Sequence, residues 1–97
     1  MKRDQVIHIL AERRSELHEN YAVKSLALFG SVARDEARRD SDVDLLVEFS
    51  RPVGLFQFID LKQYLELVLG CPVDLGTVAS LKPHLKEIVM QEAIHVA

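Results

Sequence analysis

Two short apolar segments, Val23–Phe29 and Val43–Phe49, constrain the fold more than anything else in this chain. Each reads as a β-strand bounded by breakers: Gly30 stops the first, and the turn-forming pair Asp40–Ser41 precedes the second. In the second, Val43, Leu45 and Val47 share one face, while Asp44, Leu46 and Glu48 share the other. Strands this apolar need helices to cover them, and the flanking sequence supplies helical patterns. Val6, Ile7, Leu10, Leu17 and Tyr21 fall near a 3.6-residue period, which predicts a one-sided helix over about residues 4–20, capped by Asp4 and with its stripe interrupted at Arg13–Arg14. Leu55 to Leu69 is the longest apolar-rich helical segment, with Gly70 placed to end it. Short pieces complete the chain: a helix over Ala33–Ala37, a third strand over Pro72–Leu75 opened by its proline, and a last helix capped by Ser80. That helix tolerates Pro83 in its first turn and continues through Ala93. The order α-β-α-β-α-β-α predicts a mixed two-layer α/β (α+β) domain.

Composition narrows the function classes. At 97 residues the expectation is one domain spanning residues 1–97. Hydrophobic residues make up 48% and charged residues 28%, which argues against disorder. A net charge of −3 argues against a dedicated nucleic-acid coat or polybasic membrane binder. One cysteine, Cys71, permits neither an intrachain disulfide nor a cysteine-rich zinc site. The longest apolar run, Leu26–Phe29, is far below the ~20 residues of a membrane span, and the mixed-charge start is unlike a signal core. Cytoplasm is the expected compartment, with no membrane partner. The four histidines show no ligand spacing, Cys71 reads as a small buried residue, and Tyr21, Tyr64 and the set Phe56, Phe58, Ile59, Leu61 and Leu65 read as packing residues.

The chemistry concentrates between the two strands. From Arg34 to Asp44, eight of eleven residues are charged. A solvated loop is the ordinary explanation of such a run. Its last two carboxylates, Asp42 and Asp44, oppose that reading, because side chains two apart on a strand point to one face. Two carboxylates side by side repel, so one must hold a proton, meet an arginine, or share a hard cation such as Mg²⁺. Upstream, Gly30–Ser31 leaves a strand where backbone can approach an anionic ligand closely. Asp74 is the third candidate, an acid in a short apolar strand, either facing water at an edge or brought beside the first two by sheet pairing.

Taken together, Gly30-Ser31-Val32-Ala33-Arg34-Asp35-Glu36-Ala37 followed by Asp40-Ser41-Asp42-Val43-Asp44-Leu45-Leu46-Val47 resembles the signature of the DNA polymerase β-like nucleotidyltransferase superfamily, and most closely its minimal nucleotidyltransferases. The resemblance runs over nearly the whole chain. It departs at Asp35, where such proteins often carry glycine, and at Arg39, where they often carry proline. It implies a mixed sheet of three to four strands with the second strand central. It implies Asp42, Asp44 and Asp74 as catalytic ligands of one or two Mg²⁺ ions, with Mn²⁺ an alternative. Gly30, Ser31, Arg34 and Ser41 would take the nucleotide, ATP, although Arg34 is equally placed to pair with Glu36 or Asp40. The implied reaction is transfer of AMP with loss of pyrophosphate.

Three functions follow from the resemblance. Large nucleotidyltransferases carry extra domains for DNA, RNA or antibiotic substrates, and 97 residues are expected to leave no room for one, so the first is transfer of AMP to a tyrosine of a HEPN-domain toxin, with the protein acting as antitoxin. The second is neutralisation of that partner by binding and occlusion alone. The third, modification of a small molecule such as an antibiotic, fits least well. No direct nucleic-acid partner is expected, and a homo-oligomer stays open.

Overall fold

A computed structural model describes residues 2–34 and 42–96, except for the side chains of Ser31 and Leu85. Four strands form one sheet: β1 (Val23–Phe29), β2 (Val43–Phe49), β3 (Val73–Thr77) and β4 (Ile94–His95), in the order β3-β2-β1-β4. β1 runs antiparallel to both β2 and β4, while β2 and β3 are parallel. The sheet is therefore mixed and β2 is central, as the family signature implies. β1 and β2 span the residues expected of them.

The helices are α1 (Arg3–Glu12), α2 (Arg14–Tyr21), α3 (Gly30–Ala33), α4 (Leu55–Leu69) and α5 (Pro83–Glu92). Val6 and Leu10 of α1, Leu17 of α2, and Leu61, Leu65 and Leu69 of α4 are buried in one core. Against them stand Val23, Leu26 and Leu28 of β1, Val43, Leu45 and Val47 of β2, and Val73 and Leu75 of β3. This face carries the hydrophobic stabilisation, at roughly 25 cal/mol per Å² of apolar surface removed from water. Leu46 and Ala27, on the opposite face of the sheet, are buried too.

Several local expectations are corrected. The first helix is two helices. Arg13 leaves helical geometry and its N–H donates to the Leu10 carbonyl at 3.1 Å, one residue tighter than an α-helical bond. That break falls where the apolar stripe was interrupted. Asp4 is not the cap but lies in the first turn of α1, where its charge suits the helix dipole. Lys2 precedes the helix, and its N–H donates to Gln5 Oε1 at 3.0 Å. Pro72 stands just before β3 rather than in it, and its carbonyl accepts the Val43 N–H at 3.0 Å. Ser80 ends a 3₁₀ turn (Val78–Ser80) held by Thr77, and α5 starts at Pro83 after Lys82. Phe56 is 84% exposed, and Ile59 is also exposed, so neither belongs to the core.

β4 was not anticipated. Two residues carry no detectable alternation, yet the Val96 N–H donates to the Leu26 carbonyl at 2.9 Å and the Val96 side chain is buried. Gly70 ends α4 at φ +71, as its position predicted. Ala22 takes the same left-handed conformation without being glycine (φ 57), and its carbonyl accepts from the Ser50 N–H (2.8 Å) and from Ser50 Oγ (3.2 Å). Those bonds offset a backbone cost of about 1 kcal/mol.

Candidate functional site

Strand register builds the site. Asp44 is the second residue of β2 and stands opposite Phe29 of β1 on one side and Asp74 of β3 on the other. Parallel neighbours in register lie about 4.8 Å apart, so the two carboxyls project side by side. Asp74 is exposed, Asp44 is half-buried, and Asp42 is exposed just before β2. The sequence spacing of two pointed to Asp42 as the close neighbour of Asp44. In the fold Asp74 is the stronger one.

Burial raises the Asp44 carboxyl above its ordinary range. The negative charge of Asp74 raises it further, then that of Asp42, then a hydrogen bond with Asp74, while Arg34 draws it down. A carboxyl pair close enough to hydrogen-bond must share a proton or take up a cation.

Gly30 closes over the Asp44 carboxyl. It follows Phe29, the cross-strand partner of Asp44, and turns the chain at φ +76. A Cβ on Gly30 would lie 3.0 Å from Asp44 Cγ, 3.3 Å from Asp44 Cβ, and would overlap Oδ2. Glycine is thus required twice, for its backbone angle and for the room it leaves to the carboxylate. Its carbonyl accepts the Arg34 N–H at 3.2 Å, which closes α3. The helix here starts at Gly30 rather than at Ala33, and Arg3 Nη1 of α1 reaches its last carbonyl, Ala33 O, at 3.4 Å.

Arg34 reaches a partner that the sequence did not offer. Its Nη1 lies 3.7 Å from Glu92 Oε2, on α5, and its charge is felt at Asp44. Glu36 and Asp40, the partners that the sequence offers, lie outside the described residues, as do Ser41, Asp35 and Arg39. Glu92 is the site neighbour that sequence reasoning missed, since nothing local in the chain points from it to Arg34.

An all-oxygen set of aspartates under an open glycine turn fits a hard divalent cation such as Mg²⁺. Among the described residues, no three His, Cys, Asp or Glu side chains enclose a metal position by themselves. Nearby, burial pushes the Cys71 thiol up, with Asp42 and Glu66 adding to the shift; Cys71 is only half-buried, less than expected. A groove of about 730 Å³ lies at the other end of β2, lined by Val47, Phe49, Val53, Leu55, Phe58 and Lys86 among others. Its Glu48 wall is about 13 Å along the strand from Asp44, and none of the candidate site residues lines it. No helix among the described residues is long and apolar enough to cross a membrane.

A four-stranded mixed sheet of this order, with α1, α2 and α4 packed on one face, is the frame of a nucleotidyltransferase. The chain belongs to the nucleotidyltransferase domain family, whose model matches residues 7–96. It is 41% identical over 93 residues to the protein adenylyltransferase MntA of Thermococcus cleftensis, covering 96% of this chain and 94% of that protein. A solved structure described as a minimal nucleotidyltransferase superposes with a TM-score of 0.82 at 39% identity, covering 97% of this chain and 95% of the other. A chain from the complex of the tri-AMPylated HEPN toxin and MNT antitoxin of Shewanella oneidensis shares the fold, with a TM-score of 0.65 at 19% identity, over 94% of this chain and 71% of that one.

Proposed function

We propose that this nucleotidyltransferase moves AMP from ATP to a tyrosine hydroxyl of a HEPN-domain toxin and acts as its antitoxin. The observation that carries the reading is the register pairing of Asp44 with Asp74 beneath Gly30. The likeness to a protein adenylyltransferase over nearly the whole chain supports the chemistry, and the fold shared with the toxin–antitoxin complex supports the partner.

Asp42, Asp44 and Asp74 would hold one or two Mg²⁺ ions, or Mn²⁺ in their place. When bound, Mg²⁺ supplies charge neutralisation for the attacking and leaving oxygens. It is commonly held by one or two carboxylates together with substrate phosphates and water. Gly30 and Ser31 receive the terminal phosphates, and Arg34 adds positive charge beside them; Ser41 belongs to the same proposed set. The phenolic oxygen attacks the α-phosphorus in line, the bond from that phosphorus to the bridging oxygen breaks, and pyrophosphate leaves. The proton of the hydroxyl passes to a carboxylate oxygen of Asp74, the more exposed of the register pair.

Occlusion without chemistry is the second reading, and the exposed Leu55, Phe56 and Leu67 of α4 favour a bound partner. One experiment separates the two. The chain and its HEPN partner are incubated with ATP and Mg²⁺ and the partner is weighed by mass spectrometry. Addition of AMP units, lost in Asp42→Ala while binding persists, supports transfer. Full neutralisation by Asp42→Ala with no mass gain supports occlusion.

A further inference from the structure

We infer that Glu92 is a positioning residue, holding the Arg34 guanidinium at the mouth of the aspartate site where it receives the triphosphate. The inference rests on the nucleotidyl-transfer reading above. Glu92 is the last residue of α5, so its carboxylate stands at the negative end of the helix dipole, and the last turn contains no basic residue to compensate. Helix stability alone disfavours a carboxylate there. The compensating charge comes from elsewhere in the chain: Arg34 Nη1 lies 3.7 Å from Glu92 Oε2. Arg34 directly follows α3, the turn that Gly30 opens over the Asp44 carboxylate. Arg34 thus ties α5 to the turn that lies over Asp44.

A guanidinium has five donors in a planar fork, so it can engage Glu92 and still offer donors to a phosphate. An arginine already oriented loses less rotamer freedom on binding its anion. Glu92 acts through Arg34 and touches neither nucleotide nor acceptor in this scheme. Both side chains are about half exposed, which limits the effect to that of a solvent-screened pair.

The test measures binding of Mg²⁺ with an ATP analogue that is non-hydrolysable between the α- and β-phosphates, by calorimetry on the full chain. Glu92→Gln is expected to weaken binding about three- to fivefold, with Glu92→Asp recovering part of the loss. In an Arg34→Ala background, Glu92→Gln is expected to change nothing further. A role in α5 stability alone would shift the melting temperature but would leave affinity unchanged. Wild-type affinity in Glu92→Gln overturns the inference, as does tighter binding, which would make Glu92 a competitor of the phosphate. A loss that persists without Arg34 overturns it as well. If the wild-type chain binds no nucleotide at all, the transfer reading itself fails, a result distinct from the others.

Discussion

Gly30 and Gly70 form a matched pair for testing what the site needs from glycine. Their φ angles are nearly equal, +76 and +71, but their surroundings are not. A Cβ on Gly70 meets nothing within 4 Å, whereas one on Gly30 meets the Asp44 side chain at 3.0 Å and closer. Gly70→Ala therefore incurs only the left-handed backbone cost, about 1 kcal/mol. In a chain of this size that lowers the melting temperature by about 4–8 °C. Gly30→Ala incurs the same cost plus displacement of the carboxylate. Oδ2 is the free end of a half-exposed side chain and can swing away, so the added stability cost stays near the low end of overpacking, about 1 kcal/mol. Its effect on function is larger, because a carboxylate moved by about 1 Å can cost on the order of 100-fold in rate. Thermal unfolding and AMP transfer to the partner are measured for both variants and for each combined with Asp44→Ala. The expected pattern is near-wild-type transfer in Gly70→Ala, a loss on the order of 100-fold in Gly30→Ala, and disappearance of the extra stability cost once Asp44 is alanine. Transfer within about twofold of wild type in Gly30→Ala, or stability effects that simply add with Asp44→Ala, would refute the argument.

Asp44 has a folded-state carboxyl raised above its unfolded value, so the folded protein binds the proton more tightly. In the absence of divalent cations, stability should rise as pH falls through that raised value and level off below the unfolded one. Asp44→Asn should accordingly raise the metal-free melting temperature near neutral pH while abolishing both transfer and the stabilisation by Mg²⁺ expected of the wild type. Tyr64 donates to Glu16 Oε2 at 2.7 Å, and its hydroxyl is pushed up to about 12, by burial first and then by Glu16. Its contribution should be lost between the ordinary tyrosine value of 10.0 and about 12, and Tyr64→Phe should cost about 1 kcal/mol in urea unfolding with transfer unchanged. Glu66 Oε2 accepts the Val73 N–H at 3.1 Å, on a strand that among the described residues pairs only with β2. Glu66→Ala should cost about 1–2 kcal/mol and speed amide exchange at Val73, read by NMR.

The parts of the fold that were legible in advance are those governed by neighbours along the chain. β1 and β2 stand out because apolar β-formers are concentrated between breakers, and α4 because its apolar residues repeat with the helical turn up to a left-handed glycine. The glycine–serine turn and the aspartates were legible for the same reason: their types and spacing are local. The Arg13 break was visible as an interrupted stripe but not as a separate helix, since packing Leu10 and Leu17 into one core decides it. β4 was illegible because two residues have no periodicity; only the free edge of β1 makes Ile94 and His95 a strand.

The sequence by itself determined that this chain carries a strand-end glycine, three aspartates and a two-layer mixture of helix and strand. Tertiary structure decided which of those groups meet. Register made Asp74, far along the chain, a closer influence on Asp44 than Asp42 two residues away, and it set the missing Cβ of Gly30 directly over the Asp44 carboxylate. Helix placement decided that Arg34 pairs with Glu92. The physical reason is common to all three. Backbone preferences and side-chain periods act over a few residues, but the electrostatics of a site depend on through-space distances that only sheet pairing and helix packing fix.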